Sequence, residues 1–70
     1  MDRNSVSSSN VESIGYDEES QTLEVGFLNG SVYQYYNVPM GVYEAFLSAS
    51  SKGQFLAYQI KGSFPYARVG

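Results

Sequence analysis

The sequence has no cysteine, no histidine and only four cationic residues among its 70. Each shortage excludes a class of explanation. Without cysteine there is no disulfide to staple the fold and no thiolate to hold a metal or attack a substrate. Without histidine the usual general base near neutral pH is missing. The serines have no base partner. Asp17, Glu18 and Glu19 sit side by side on a polar stretch, not opposed across a cleft at the roughly 5–10 Å that a carboxylate pair requires. A hard-oxygen metal site is also unsupported, because no Asp-x-Asp-x-Asn-Gly series with a closing Glu occurs. No apolar run approaches the roughly 18–20 residues that span a bilayer. Met1-Asp2-Arg3-Asn4 lacks the charged and apolar regions of a signal peptide. The expectation is a cytoplasmic protein that is not an enzyme, with no cofactor, no metal and no membrane partner.

What is present is aromatic. Seven Tyr and four Phe supply large apolar areas to a chain so short that its core has a thin margin. Net charge is −3, which opposes nonspecific nucleic-acid binding by the chain taken whole. The charges are unevenly placed, however. All seven acids lie in residues 1–50 with Arg3, whereas residues 51–70 carry Lys52, Lys61 and Arg68 and no acid.

Residues 1–10 are polar and serine-rich, and read as a flexible tail before a single domain over 11–70. In Val11 to Tyr16, Ile14 and Tyr16 alternate with Ser13 and Gly15, as in a strand. A solvated acidic loop, Asp17 to Gln21, follows. The central feature is a hairpin, Leu23 to Phe27 and Ser31 to Tyr36, turned at Asn29-Gly30.

Two registers are open to it. A two-residue turn pairs Leu28 with Ser31 and puts Gln34 among Leu23, Val25 and Phe27. A three-residue loop, Leu28-Asn29-Gly30, with Gly30 left-handed in a bulge, sets Val25 opposite Tyr33 and Leu23 opposite Tyr35. Slipping by one residue exchanges the faces, and burying an unpartnered amide costs about 1–3 kcal/mol. The three-residue loop is therefore expected, with Tyr33 and Tyr35 facing the core, Gln34 outside, and an open face around Val32, Gln34 and Tyr36.

After Val38-Pro39, with Pro39 suited to the first helical position, the residues Val42, Tyr43, Phe46 and Leu47 recur at helical spacing. Ser51 and Gln54 fit a capping box for a second helix over Lys52 to Lys61. Gly62 is placed to close it, and Phe64 and Tyr66 to pin the end of the chain to the body. The expected fold is α+β: a three-stranded antiparallel meander with two C-terminal helices packed on one face, in the order β-β-β-α-α.

For binding, the stretch Phe55…Tyr58…Lys61…Phe64…Tyr66…Arg68 interleaves aromatics with bases, as nucleic-acid readers do. The candidate phosphate contacts are Lys52, Lys61 and Arg68, with Tyr58 and Tyr66 for stacking. A second class of function is a protein-interaction or self-association module, taking a protein partner or a second copy on the open sheet face or a strand edge.

These segments resemble the KTSC domain, a small module named for its place at the C-terminus of some lysyl-tRNA synthetases and also found alone in bacterial proteins. The matching pieces are Ser13-Ile14-Gly15-Tyr16-Asp17, Thr22-Leu23-Glu24-Val25, Phe27 with Asn29-Gly30, Val32-Tyr33-Gln34-Tyr35, Val38-Pro39, Val42-Tyr43, Lys52-Gly53, Ile60-Lys61-Gly62 and Pro65-Tyr66-Ala67-Arg68-Val69. Their ordered series, more than the Tyr-x-Tyr triplet, carries the match. The resemblance implies an RNA partner, tRNA or another structured RNA. It places Tyr33 and Tyr35 in the family's central motif, and Lys52, Lys61 and Arg68 at positions that look basic in it. The chain departs from the pattern at Gln34, where a basic residue is common, and in Phe55 to Gln59, which is poorer in bases. Both departures remove phosphate contacts.

Overall fold

The central hairpin closes with the three-residue loop. In the computed structural model, which describes residues 1–70, Gly30 has φ 92°, a conformation that costs an L-residue dearly and glycine little. The Gly30 N–H donates to the Phe27 carbonyl at 3.0 Å, and the Phe27 N–H to the Ser31 carbonyl at 2.9 Å. Asn29 Oδ1 locks the turn by accepting from the Ser31 N–H at 3.0 Å and its hydroxyl at 2.7 Å. The strands β3 (Thr22–Phe27) and β4 (Val32–Tyr35) then pair Leu23 with Tyr35, Val25 with Tyr33 and Glu24 with Gln34, in the register expected from the polarity of Gln34.

β2 (Val11–Asp17) runs antiparallel to β3, with Ile14 opposite Val25 and Tyr16 opposite Leu23. The sheet is wider than a three-stranded meander. β1 (Asn4–Ser5) adds to the outer edge of β2, and β5 (Tyr66–Arg68) to the outer edge of β4. The result is a five-stranded antiparallel sheet in sequence order. Residues 1–10, expected as a flexible tail, therefore carry an edge strand. Strands of two and three residues are too short for an alternation to show in sequence. They are set by backbone hydrogen bonds such as Val6 N–H to Glu12 carbonyl (3.0 Å) and Val69 N–H to Val32 carbonyl (2.8 Å).

Helix α1 (Met40–Ser48) starts one residue beyond Pro39, which is extended and acts as N-cap. Its carbonyl accepts from Val42 and Tyr43. The second helix is composite. α2 (Lys52–Phe55) passes directly into a π-helical segment, Leu56–Ile60, closed by the Lys61 N–H to Leu56 carbonyl bond of 2.8 Å. The Ser51 hydroxyl caps α2 by accepting the Gln54 N–H, and Gly62 turns the chain at φ 82°.

One sheet face and the helices share the core. Val11, Ile14, Leu23, Val25 and Tyr35 meet Val38, Phe46, Leu56 and Ile60. Phe46 stacks on Phe55 at 5.5 Å, and Tyr16 on Tyr43 at 4.6 Å. The Tyr16 hydroxyl donates to the Val38 carbonyl, which ties β2 to the start of α1.

The opposite face, expected to be open, is partly occupied. Arg3 donates to Ser13 Oγ at 2.9 Å and to Glu24 Oε2 at 2.7 Å. Gln34 Nε2 donates to Glu24 Oε1 at 2.8 Å, and the Tyr36 hydroxyl to Gln34 Oε1 at 3.1 Å. Glu24 is only 7% exposed. Burial would raise its carboxyl pKa, but the hydrogen bonds from Gln34 and Arg3, with the Arg3 charge, hold it below the usual range. Gly15 and Gly26 leave room for this arrangement. A Cβ on Gly15 would collide with the Asp2 carbonyl, and one on Gly26 would lie 2.8 Å from Ser13 Oγ and 3.2 Å from Arg3 Nε.

Candidate functional site

The side chains most capable of holding a ligand collect beside the core, on the helix face of the sheet, where the hairpin tip, β4, β5 and the turn after the π-helical segment meet. They line a cleft of about 750 Å³, within the usual size of a small-molecule or cofactor site. Directly opposed residues of an antiparallel pair share a face. Tyr66 opposite Tyr35 and Arg68 opposite Tyr33 therefore stand on the face of the tyrosine motif.

The rings form a connected array. Tyr66 lies 6.0 Å from Tyr33 and 5.8 Å from Tyr35, both tilted, and Tyr33 meets Phe27 edge-on at 5.8 Å. Tyr66 is 60% exposed, Tyr33 is half-buried and Tyr35 is 2% exposed, so the array runs from surface to core. Burial, and then the neighbouring Tyr33 and Tyr66 hydroxyls, push the Tyr35 phenol above its ordinary pKa. The motif tyrosines are thus both architectural and accessible from one side: Tyr35 is core, and its edge still reaches the cleft.

The cleft's polar lining is one-sided in charge. Lys61 is its one charged residue and no carboxylate lines it. Of the residues picked from sequence, Lys61 and Tyr66 line the cleft, and Arg68 stands beside it on the exposed β5, its Nε donating to the Gly70 carbonyl at 2.8 Å. Lys52 and Tyr58 do not join them. Lys52 Nζ donates to the Ala49 carbonyl at 2.7 Å and so closes the end of α1. Tyr58, 78% exposed, borders a separate, smaller depression with Phe55 and Gln59. Sequence reasoning missed Phe27, Asn10 and Asn29 as lining residues. Asn29 had a turn role that hid it, and nothing local marks Asn10. No group of three or more His, Cys, Asp or Glu is placed to hold a metal ion, and no helix is long and apolar enough to cross a membrane.

Comparison with known proteins gives a consistent picture. Residues 7–64 match the family model for the KTSC domain. A crystal structure of a KTSC domain protein from Yersinia pestis superposes with a TM-score of 0.92 at 44% identity, covering 99% of this chain and 97% of that one. A lysine–tRNA ligase of Trichormus variabilis is 44% identical over 54 residues, 77% of this chain but 10% of the ligase. The chain thus spans about a tenth of the length of that relative. An uncharacterized protein of Stutzerimonas stutzeri is 46% identical over 54 residues, covering 77% of this chain and 76% of that protein.

Proposed function

Because the chain belongs to the KTSC domain family, we propose that it is a non-catalytic RNA-binding module whose contact surface is the Tyr33–Tyr35–Tyr66 cleft. The observation that carries this reading is the coincidence of three tilted tyrosine rings with Lys61 in a cleft free of carboxylates. Exposed rings stack on unpaired bases, worth about 1–3 kcal/mol per base, and cations along the rim hold phosphate. Tyr66 offers the stacking surface, and Lys61 with Arg68 the phosphate contacts. Relatives named lysine–tRNA ligase favour an RNA partner over other polyanions.

The affinity is modest and the salt dependence shallow, because two cations neutralise two phosphates. Fluorescence anisotropy with a labelled single-stranded RNA, across a series of ionic strengths, tests this. Binding at low salt with a log–log slope of about −1.4 is expected for two phosphate contacts on a single strand. Absence of binding at the lowest salt removes the proposal.

The alternative, strand addition by a protein partner or a second copy, has less surface than the sequence suggested. The sheet now ends in strands of two and three residues, which offer few edge hydrogen bonds. The opposite face is engaged by Arg3, Glu24 and Gln34.

A further inference from the structure

The cleft holds an unusual polar group. Tyr35 is 2% exposed, and its hydroxyl makes no hydrogen bond to any other residue. Yet no polar side-chain atom of the protein is sealed from solvent without a partner. The small exposed remainder of Tyr35 therefore includes its hydroxyl, and Tyr35 lines the cleft. A buried phenol normally finds a partner; this one points its polar end into a ligand-sized space.

The two asparagines of the same cleft are oriented by their neighbours. Asn29 Oδ1 is held by the backbone N–H and hydroxyl of Ser31. A backbone N–H can only donate, so the amide oxygen must face it and Asn29 Nδ2 is left over. Ser8 Oγ accepts the N–H groups of Asn10 and Val11, which leaves its own proton for Asn10 Oδ1. Asn10 Nδ2 is again left over. Both amide oxygens are therefore used within the protein, and both amide nitrogens are available to a ligand. With the Lys61 ammonium they make a lining rich in donors. Hydroxyls that both donate and accept come from Ser9, Ser31, Tyr33, Tyr35 and Tyr66, and carboxylates are absent. Of the two on nearly buried residues, that of Ser31 is bonded to Asn29 and that of Tyr35 is free.

Resting on the RNA-binding reading above, we propose that the cleft takes a single unpaired nucleotide and selects its base. Keto bases, uracil and guanine, are preferred over the amino bases cytosine and adenine, and the Tyr35 hydroxyl is the contact that discriminates. Uracil presents two carbonyl acceptors flanking one N–H, and guanine presents O6 and N7. A lining with amide and ammonium donors, and with the unpartnered Tyr35 hydroxyl at its buried end, is complementary to both. The exocyclic amino groups of cytosine and adenine would meet donors. A site with fixed donors rejects a ligand that leaves them unpaired. Stacking on Tyr66 and Tyr33 adds affinity without choosing among bases.

The test is an NMR titration of the full chain with UMP, GMP, CMP and AMP in turn, repeated with Tyr35→Phe and Lys61→Gln and calibrated against the single-stranded RNA above. UMP and GMP are expected to bind roughly tenfold more tightly than CMP and AMP, the size of one or two hydrogen bonds, with shifts at Tyr33, Tyr66 and the Asn10 and Asn29 side-chain amides. Y35F removes an oxygen that has no protein partner, so it keeps the native spectrum while the preference falls to about twofold or less. K61Q weakens all four nucleotides alike and keeps the preference. Equal affinity for the four nucleotides, or an unchanged preference in Y35F, overturns the base-selection proposal. RNA binding with no mononucleotide bound in the cleft overturns it too, and leaves the RNA-binding reading standing. Failure of the RNA itself to bind overturns both.

Discussion

The two faces of the sheet are built from the same strands, yet they are held by opposite physics. Along β3, Leu23, Val25 and Phe27 alternate with Glu24 and Gly26. The first set meets helices and aromatic rings. In the second, Glu24 accepts charge-assisted hydrogen bonds from Arg3 and Gln34, and Arg3 lies across Gly26 to reach Ser13. The apolar face draws its stability from area and tolerates a cleft at its margin, since rings at the edge of a core lose little by half-exposure. The polar face has no such tolerance. An ion pair with one partner nearly buried holds only while every member is present. The lesson is a division of labour: the face that carries the core also carries the candidate site, and the face that looked open serves as a latch for the N-terminal strand.

Substitutions at three positions put this contrast to the test. The largest effect is expected at Phe46, fully buried and stacked on Phe55. Phe46→Ala should cost about 3–5 kcal/mol, enough to unfold much of so small a domain, and urea denaturation reads it directly. If the loss were under 1 kcal/mol, the apolar face would not be the main source of stability.

Next comes Glu24. Glu24→Ala leaves Arg3 half-buried without its partner, and about 1–3 kcal/mol should be lost. The same pair fixes an acid limb. The folded-state pKa of Glu24 lies below its ordinary value of 4.5. Its stabilisation is therefore complete above that value and lost as pH falls through the depressed one. Tyr35 and Tyr16 set the opposite limb. Their folded pKa values lie above the ordinary 10.0, so their contribution is complete below 10.0 and is lost as pH rises through the raised values. Thermal melts across pH should show both limbs in the native chain and a blunted acid limb in Glu24→Ala. An acid limb unchanged in that variant would disconnect the latch from the charge of Glu24.

The smallest stability effect belongs to Tyr66. It is largely exposed, so Tyr66→Ala should change stability by about 0.5 kcal/mol or less, as surface positions do. It should nevertheless weaken RNA binding by about 1–3 kcal/mol through loss of stacking. A variant that lost stability but kept affinity would make β5 structural and move the interface elsewhere.

Much of the fold was legible because it follows from alternation and turn chemistry. The hairpin register was fixed by asking where Gln34 could sit, and the helix ends by Pro39, Ser51 and Gly62. Gln34 is off the core face as expected, but it is half-buried and bonded to Glu24 and Tyr36 and not simply solvated. The two outer strands were not legible, since two or three residues hold no period. Arg3 was unreadable for a related reason: its partner is 21 residues away, and one cation in a serine-rich segment carries no pattern. The cleft was half legible. Lys61 and Tyr66 stood out by composition. Their meeting with Tyr33 and Tyr35 depends on β5 pairing with β4, a nonlocal event that no spacing in the chain records. The same pairing explains why the motif tyrosines looked only architectural beforehand.

The bare backbone at Gly15 has an evolutionary consequence. A side chain there and the segment through Asp2 compete for the same space, so position 15 and the N-terminal strand are mutationally coupled. A relative that lacks this strand is free to place any small residue at the corresponding position. A chain that keeps the strand is confined to glycine. A side chain at this position in the middle of β2 thus reports that no separate piece of chain is folded across it, and the order in which the two changes could accumulate is constrained: the strand must leave before the glycine can.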